Sequence, residues 1–171
     1  MTDVYKEQIV KKIPNESDRI KKLCIILGTI SLAGILFFVV SAIPQLIMIY
    51  LLAVGGMIYG DIYLMAGMSV EYEYILTNGE IDIDKIIGQR KRKRLVTFRL
   101  GAALSFGKLE SEQKLDPSHT VIDASGGGED ETYFVEISDK TYGAAYVLVS
   151  PNEELLELMR PFLPKTARSA F

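Results

Sequence analysis

Between Leu23 and Gly60 the chain carries no aspartate, glutamate, lysine, arginine or histidine. An uncharged apolar run of this length is rare in a water-soluble domain and points to a bilayer. It divides in two. Leu23 to Ile43 reads LCIILGTISLAGILFFVVSAI, about 30 Å of helix at about 1.5 Å per residue. Pro44 then breaks the pattern, because proline cannot continue a helix without losing a hydrogen bond. Leu46 to Gly60 alone is short for a span, and continuing through Asp61 to Ala66 restores about 30 Å. The sequence predicts a transmembrane helical hairpin over residues 23–68 with a tight, uncharged turn.

Orientation follows from the flanks. Lys11, Lys12, Arg19, Lys21 and Lys22 precede the first helix; Lys85 and the run from Arg90 to Arg94 follow the second. The turn has no cation, so both termini are expected to be cytoplasmic in a two-pass protein of the cell membrane. A cleaved signal peptide is the rival reading, since Val40, Ser41 and Ala42 resemble a small-residue cleavage site. The four acids among residues 1–22 and the second apolar run argue against it.

Within the hairpin, Gly56 and Gly60 form a GxxxG spacing that lets another helix approach closely. The partner is Gly28, Ser31 or Gly34 of the first helix, the simpler expectation, or a second copy of the chain. Asp61 is the one ionisable residue of the extended second helix. Such a residue is a functional candidate by default, but near the helix end, beside Tyr59 and Tyr63, it is expected to reach interfacial water. Residues 1–22 read as a cytoplasmic leader. Tyr5, Ile9 and Ile13 fall at i, i+4, i+8, one face of a short amphipathic helix ended by Pro14.

After Met68 the period changes to two. SVEYEYIL at 69–76 and IDID at 81–84 flank Asn78-Gly79, a strong hairpin signal because both central residues of a type I′ turn need positive φ. The register puts Leu76 opposite Ile81, Tyr74 opposite Ile83 and Tyr72 opposite Lys85. The other face sets Glu73 against Asp84, an unfavourable like-charge pair, with Asp82 beside them. This acidic cluster suits a divalent cation or neutralisation by the basic run, the simpler solution if Gly88 and Gln89 turn the chain and Arg90–Arg94 opens a third strand continuing to Phe98. Residues 101–118 have no clean period; a short helix within 108–115 is expected. Thr120–Ala124 reads as a strand, 125–131 as an acidic glycine-rich loop, and 132–138 with 142–150 as a second hairpin. Ser150 and Pro151 open a C-terminal amphipathic helix with Leu155, Leu158, Met159 and Phe162 on one face. Residues 164–171 read as a loose tail.

Six strands and one C-terminal helix behind a membrane hairpin form a recognisable layout. YILT at 74–77, GEI at 79–81, the basic stretch after the second strand and VLVSPNEEL at 147–155 resemble the membrane-anchored bacterial pleckstrin-homology-like proteins of Gram-positive bacteria. The resemblance covers residues 69–163 plus the preceding helices and departs from that pattern at 101–131. It implies an α+β fold: a transmembrane hairpin, then a small antiparallel β-barrel or sandwich with a C-terminal amphipathic helix. It also implies a binding role without catalysis.

The chain as a whole has 19 cations against 22 acids, and residues 101–171 hold six cations and twelve acids. A cationic run in an acidic chain suits an anionic phospholipid surface more than nucleic acid, for which no reader motif accompanies it. Arg90, Lys91, Arg92, Lys93 and Arg94 are therefore the candidate lipid-binding residues, and Gly56 and Gly60 the candidate helix-packing residues. A membrane-protein partner or a homo-oligomer is the other expected association, with the chain acting as an assembly subunit. Catalytic, cofactor and metal sites are not expected. Cys24 is alone and sits in the apolar run, His119 is alone in a polar turn, and no nucleophile–base spacing or phosphate loop is present.

Overall fold

The structure, a computed structural model, describes residues 3–110, 115–127, 131–139 and 141–167. The chain forms two compact units. One joins residues 1–13 to 70–171; the other is 14–69.

In the second unit, α1 (Glu16–Ser41) and α2 (Ile47–Ala66) are antiparallel, linked by a 3-10 turn at Pro44–Leu46. Asn15 takes the N-cap position of α1 with extended backbone but without a side-chain cap bond. The helices meet through Phe37 and Tyr50, with ring centroids 6.0 Å apart, and through Thr29 Oγ1, which donates to Asp61 Oδ1 at 2.9 Å. Neither helix buries a single residue, and apolar side chains such as Phe38 and Leu52 are open all round. Both helices are long and apolar enough to cross a membrane.

The first unit is built from two four-stranded sheets. The first has the order β1 (Tyr5–Lys11), β2 (Val70–Thr77), β3 (Glu80–Ile87), β4 (Lys91–Arg99), all antiparallel. In the second, β5 (Ser105–Lys108) pairs β7 (Tyr133–Asp139), which pairs β8 (Gly143–Val149), which pairs β6 (Thr120–Asp123) in parallel. The sheets remain separate, so the barrel is not closed, and the β6–β8 pair departs from an all-antiparallel arrangement. Side chains of both sheets, among them Tyr74, Leu76, Ile83, Phe106, Val135 and Val147, fill one core with Leu155, Met159 and Leu163. Each fully buried aliphatic or aromatic side chain there contributes roughly 1.5–3 kcal/mol.

The β2–β3 hairpin has the expected register throughout, and Asn78 and Gly79 take φ of 48° and 85°. Other expectations are corrected. Residues 5–11 form a strand, not a short amphipathic helix, and pair with β2 over seven residues. Val10 is the inward anchor, while Tyr5 and Ile9 point outward and are more than half exposed. The membrane-length hairpin is thus inserted between two neighbouring strands of one sheet. Phe106, fully buried in β5, stacks on Tyr133 with centroids 5.6 Å apart; of the helix expected within 108–115, residues 111–114 lie outside the described residues. So do 128–130 of the acidic loop, residue 140 of the second hairpin's turn and 168–171 of the tail.

The C-terminal helix α3 (Glu153–Met159) is capped by Asn152, whose Oδ1 accepts from the Leu155 amide at 2.9 Å. Ser150 is not the cap: it lies two residues before the N-cap position, and its amide donates to the Tyr74 hydroxyl at 3.1 Å. Residues 165–167 close a further 3-10 turn, with Ala167 buried.

Candidate functional site

Arg90 closes the β3–β4 turn, and Lys91, Arg92, Lys93 and Arg94 open β4, alternating in type as well as direction. Alternate residues of a strand share a face. Parity along β4 is set by a bulge. Ile83 faces Val96 but Asp84 faces Arg94, so Leu95 is an extra residue on β4. It turns Arg92 and Arg94 onto the face of Glu73, Asp82 and Asp84, and turns Lys91 and Lys93 onto the face of Lys85.

The arginine face is an internal ion-pair network. Arg94 Nε donates to Asp84 Oδ1 at 2.5 Å, its Nη1 lies 2.5 Å from Asp82 Oδ1, and the same Nη1 donates to Thr97 Oγ1 at 3.0 Å. The Thr97 hydroxyl in turn donates to Asp82 at 2.6 Å. Arg92 Nη2 lies 2.9 Å from both oxygens of Glu73 and is aligned for a hydrogen bond to Oε1 alone. Glu73 and Asp84, side by side in the register, have side chains only 7% and 6% exposed, against 57% and 49% for Arg92 and Arg94. The guanidinium groups lie over the carboxylates and shield them. Burial works against the charge on Arg94, but the Asp84 hydrogen bond and the Asp82 and Asp84 carboxylates outweigh it and hold its pKa above the usual value.

The lysine face has a different balance. Lys93 stands directly opposite Lys85, and Lys91 opposite Ile87. Among the described residues, no carboxylate forms an ion pair with Lys85, Lys91 or Lys93. Like charges directly opposite each other destabilise a sheet. Tyr72, opposite Lys85, is buried, and its phenol is pushed above the usual tyrosine value by that burial and by the nearby Asp123 carboxylate. Asp123 is itself engaged by the Ser125 amide and hydroxyl, at 3.0 and 2.7 Å. Val70 and Ile87, both half-buried, adjoin the lysines on the same face.

The position of this corner follows from the registers. Lys11 faces Glu71, Val70 faces Ile87, and the Lys12 amide donates to the Val70 carbonyl at 2.9 Å. The β3–β4 turn, with Gly88 and Gln89 at φ of 60° and 56°, is therefore at the end of the sheet where β1 leads into α1 and α2 leads into β2.

The remaining candidates fall elsewhere. A Cβ built on Gly56 or Gly60 meets nothing within 4 Å, nor does one on Gly28 or Gly34. The α1–α2 contact does not use these glycines, so an intrachain partner for the GxxxG face is not what the structure forms. Asp61 is bonded to Thr29, within the hairpin. His119 is seated more deeply than its polar turn suggests: it stacks on Tyr146 at 4.9 Å, with Nε2 3.4 Å from Glu136 and Nδ1 3.7 Å from Asp116. The Ser118 amide and hydroxyl, with His119, lower the Asp116 carboxyl below its ordinary value. Among the described residues no group of three or more His, Cys, Asp or Glu is arranged to hold a metal ion. Sequence reasoning missed a cleft of about 610 Å³ around Gly79, Glu80, Arg99 and Phe162, and one of about 550 Å³ between β1 and the start of α3. Both need β1 or the tertiary placement of α3, which no local pattern signals.

A protein-family model described as bacterial PH-like domain (DUF6106) matches residues 2–169. Comparisons with curated proteins and with solved structures return no match.

Proposed function

The chain belongs to the bacterial PH-like domain family (DUF6106), and we propose that it is an integral membrane protein holding a non-catalytic PH-like domain at the cytoplasmic surface, where the basic corner contacts anionic lipid. α1 and α2 cross the bilayer in this reading, with both termini cytoplasmic. One observation carries it: the cationic β3–β4 corner is at the sheet end from which the chain departs to both helices. Only residues 12–15 link β1 to α1, and only 67–69 link α2 to β2. Four extended residues reach at most about 14 Å, comparable to a Debye length of about 8–10 Å. Each lysine or arginine near an anionic leaflet contributes about 1 kcal/mol. The contact orients a domain that is already anchored.

The test uses the full chain, because β1 precedes the helices and a fragment starting at residue 69 would lack an edge strand of the sheet. Hydrogen exchange over residues 85–94 is compared in nanodiscs of zwitterionic lipid and nanodiscs containing anionic lipid. Slower exchange with anionic lipid, reversed by high salt, is expected. Identical exchange in the two lipids removes the lipid contact. Extraction of the chain from membranes by alkaline carbonate removes the integral anchor.

A second reading has its own observation. The open GxxxG face leaves Gly56 and Gly60 free to pack on another helix, which suits an assembly subunit or a homo-oligomer. Gly56→Leu with Gly60→Leu then dissociates a complex seen by crosslinking in native membranes; a chain that is monomeric at every detergent ratio tried sinks it.

A further inference from the structure

We propose that the lipid contact belongs to the lysine face alone, Lys85, Lys91 and Lys93, and that Arg92 and Arg94 are internal struts which do not touch lipid. The inference rests on the membrane reading above and deepens it. Its basis is the division of one cationic strand into two faces with opposite charge balance. On the arginine face two guanidinium groups meet Glu73, Asp82 and Asp84, and the acids outnumber the cations. An anion arriving there meets a face whose cations are already balanced by carboxylates, and the acid in excess repels it. On the lysine face three cations have no acid partner among the described residues, and two of them oppose each other directly. An external anion relieves that repulsion.

The residue types agree with the division. A planar guanidinium fork suits a fixed carboxylate, whereas an ammonium on a long flexible stem suits a mobile, heterogeneous surface. Val70 and Ile87 beside the lysines add apolar area, and lysine stems can lie along such area while the heads seek phosphate. The occupant is the bilayer and not a free phosphate, because only three residues separate Val70 on this face from the end of α2. The bulge at Leu95 creates the division. Without that extra residue the lysines would face the carboxylates and the arginines would be left over.

The experiment is amine acylation of the full chain in nanodiscs, read by mass spectrometry at each lysine. Anionic lipid is expected to slow acylation of Lys91 and Lys93 about fivefold, the equivalent of the contribution per cation near such a surface. High salt should restore the rate. Lys6 and Lys108, paired with Glu154 and Glu131, should not respond to lipid. Lys85→Gln with Lys91→Gln and Lys93→Gln should abolish the effect of anionic lipid on β3–β4 exchange while leaving the melting temperature unchanged or raised. Arg92→Gln with Arg94→Gln should lower the melting temperature and keep the lipid response; if that variant does not fold, wild-type acylation decides. Lysine rates insensitive to lipid, with exchange at 85–94 still responding, overturn the division and leave the membrane reading standing. If neither responds, both fall. Protection reproduced by inorganic phosphate in zwitterionic nanodiscs also overturns the proposal, in favour of a small-anion site.

Discussion

Replacing Arg94 by glutamine isolates the contribution of the internal network. The variant removes two contacts at 2.5 Å, to Asp84 and Asp82, and the hydrogen bond to Thr97. Its main effect falls on Asp84, whose side chain is 6% exposed and is left buried without its cation. Two unit charges about 4 Å apart interact by about 4 kcal/mol at an effective dielectric of 20. Breaking a fully buried pair costs about 3–5 kcal/mol, whereas an exposed pair contributes about 0–1 kcal/mol. Arg94 itself is half exposed, so water screens one partner and not the other. The expected loss lies between these limits, about 2 kcal/mol. For a domain of this size that lowers the melting temperature by about 10 °C. The chain has nine tyrosines and no tryptophan, so near-ultraviolet circular dichroism of tyrosine, on the full chain in detergent, is the signal to follow. Asp84→Asn should cost less, because an amide oxygen still accepts from the guanidinium. The double variant should recover about 1 kcal/mol of the summed losses, since no unpaired charge remains. A loss under about 0.5 kcal/mol for Arg94→Gln, the range of unremarkable surface substitutions, would refute the claim that the run is partly structural.

Three other perturbations follow from single contacts. Gly79→Ala combines φ of +85° with a Cβ placed 2.5 Å from the Phe162 ring, and should cost about 2–3 kcal/mol in the same melt. Gly127→Ala, at +73° in open space, should cost only about 1 kcal/mol; equal losses would mean that Phe162 does not pack against the turn. Tyr74→Phe removes a buried hydroxyl that donates to the Ala124 carbonyl at 2.5 Å and accepts from the Ser150 amide at 3.1 Å. Two buried backbone groups lose their partner, and urea unfolding should report a loss of about 2 kcal/mol with an unchanged slope. Deleting residues 1–11 strips an edge strand and its ties to α3, including Gln8 to Ser150 and Asn152; the truncated chain should lose its near-ultraviolet signal, and a native signal would show β1 to be dispensable.

Much of the first sheet is legible in the sequence because local and long-range signals coincide there. Asn78-Gly79 demands a two-residue turn, and the alternation of Tyr72, Tyr74, Leu76, Ile81 and Ile83 demands the same register. β1 is illegible for a simple reason: residues four apart share a face in a helix and in a strand alike. Tyr5, Ile9 and Ile13 therefore fit both, and the apolar residue that decides, Val10, is the only buried residue of the strand. β5 is four residues with one strong anchor, Phe106, too few for a period. Asn152 as the cap of α3 is ambiguous locally, since Ser150 and Pro151 make an equally good opening signal; the helix starts two residues beyond that signal, where the Asn152 side chain takes the Leu155 amide. In the candidate site, the basic run and its acidic neighbours can be read from register, but the division between arginine and lysine cannot. It depends on the bulge at Leu95, and a bulge changes parity without changing composition.

The insertion of the helical hairpin between β1 and β2 bears on how the domain works. A domain appended after its anchor has one tether and swivels about it. Here two tethers leave adjacent antiparallel strands, which are about 4.8 Å apart. Two such points permit hinging about the line that joins them and hinder rotation about the tether axis. The lysine corner lies on the third and fourth strands of the same sheet, off that line. A domain tethered at two points has little orientation left to lose, so the proposed headgroup attraction, about 1 kcal/mol per lysine, would be enough to bias it. A free domain would have to meet the full entropy of association first. Under the proposed lipid contact, three lysines act on a domain that the chain already tethers at two points.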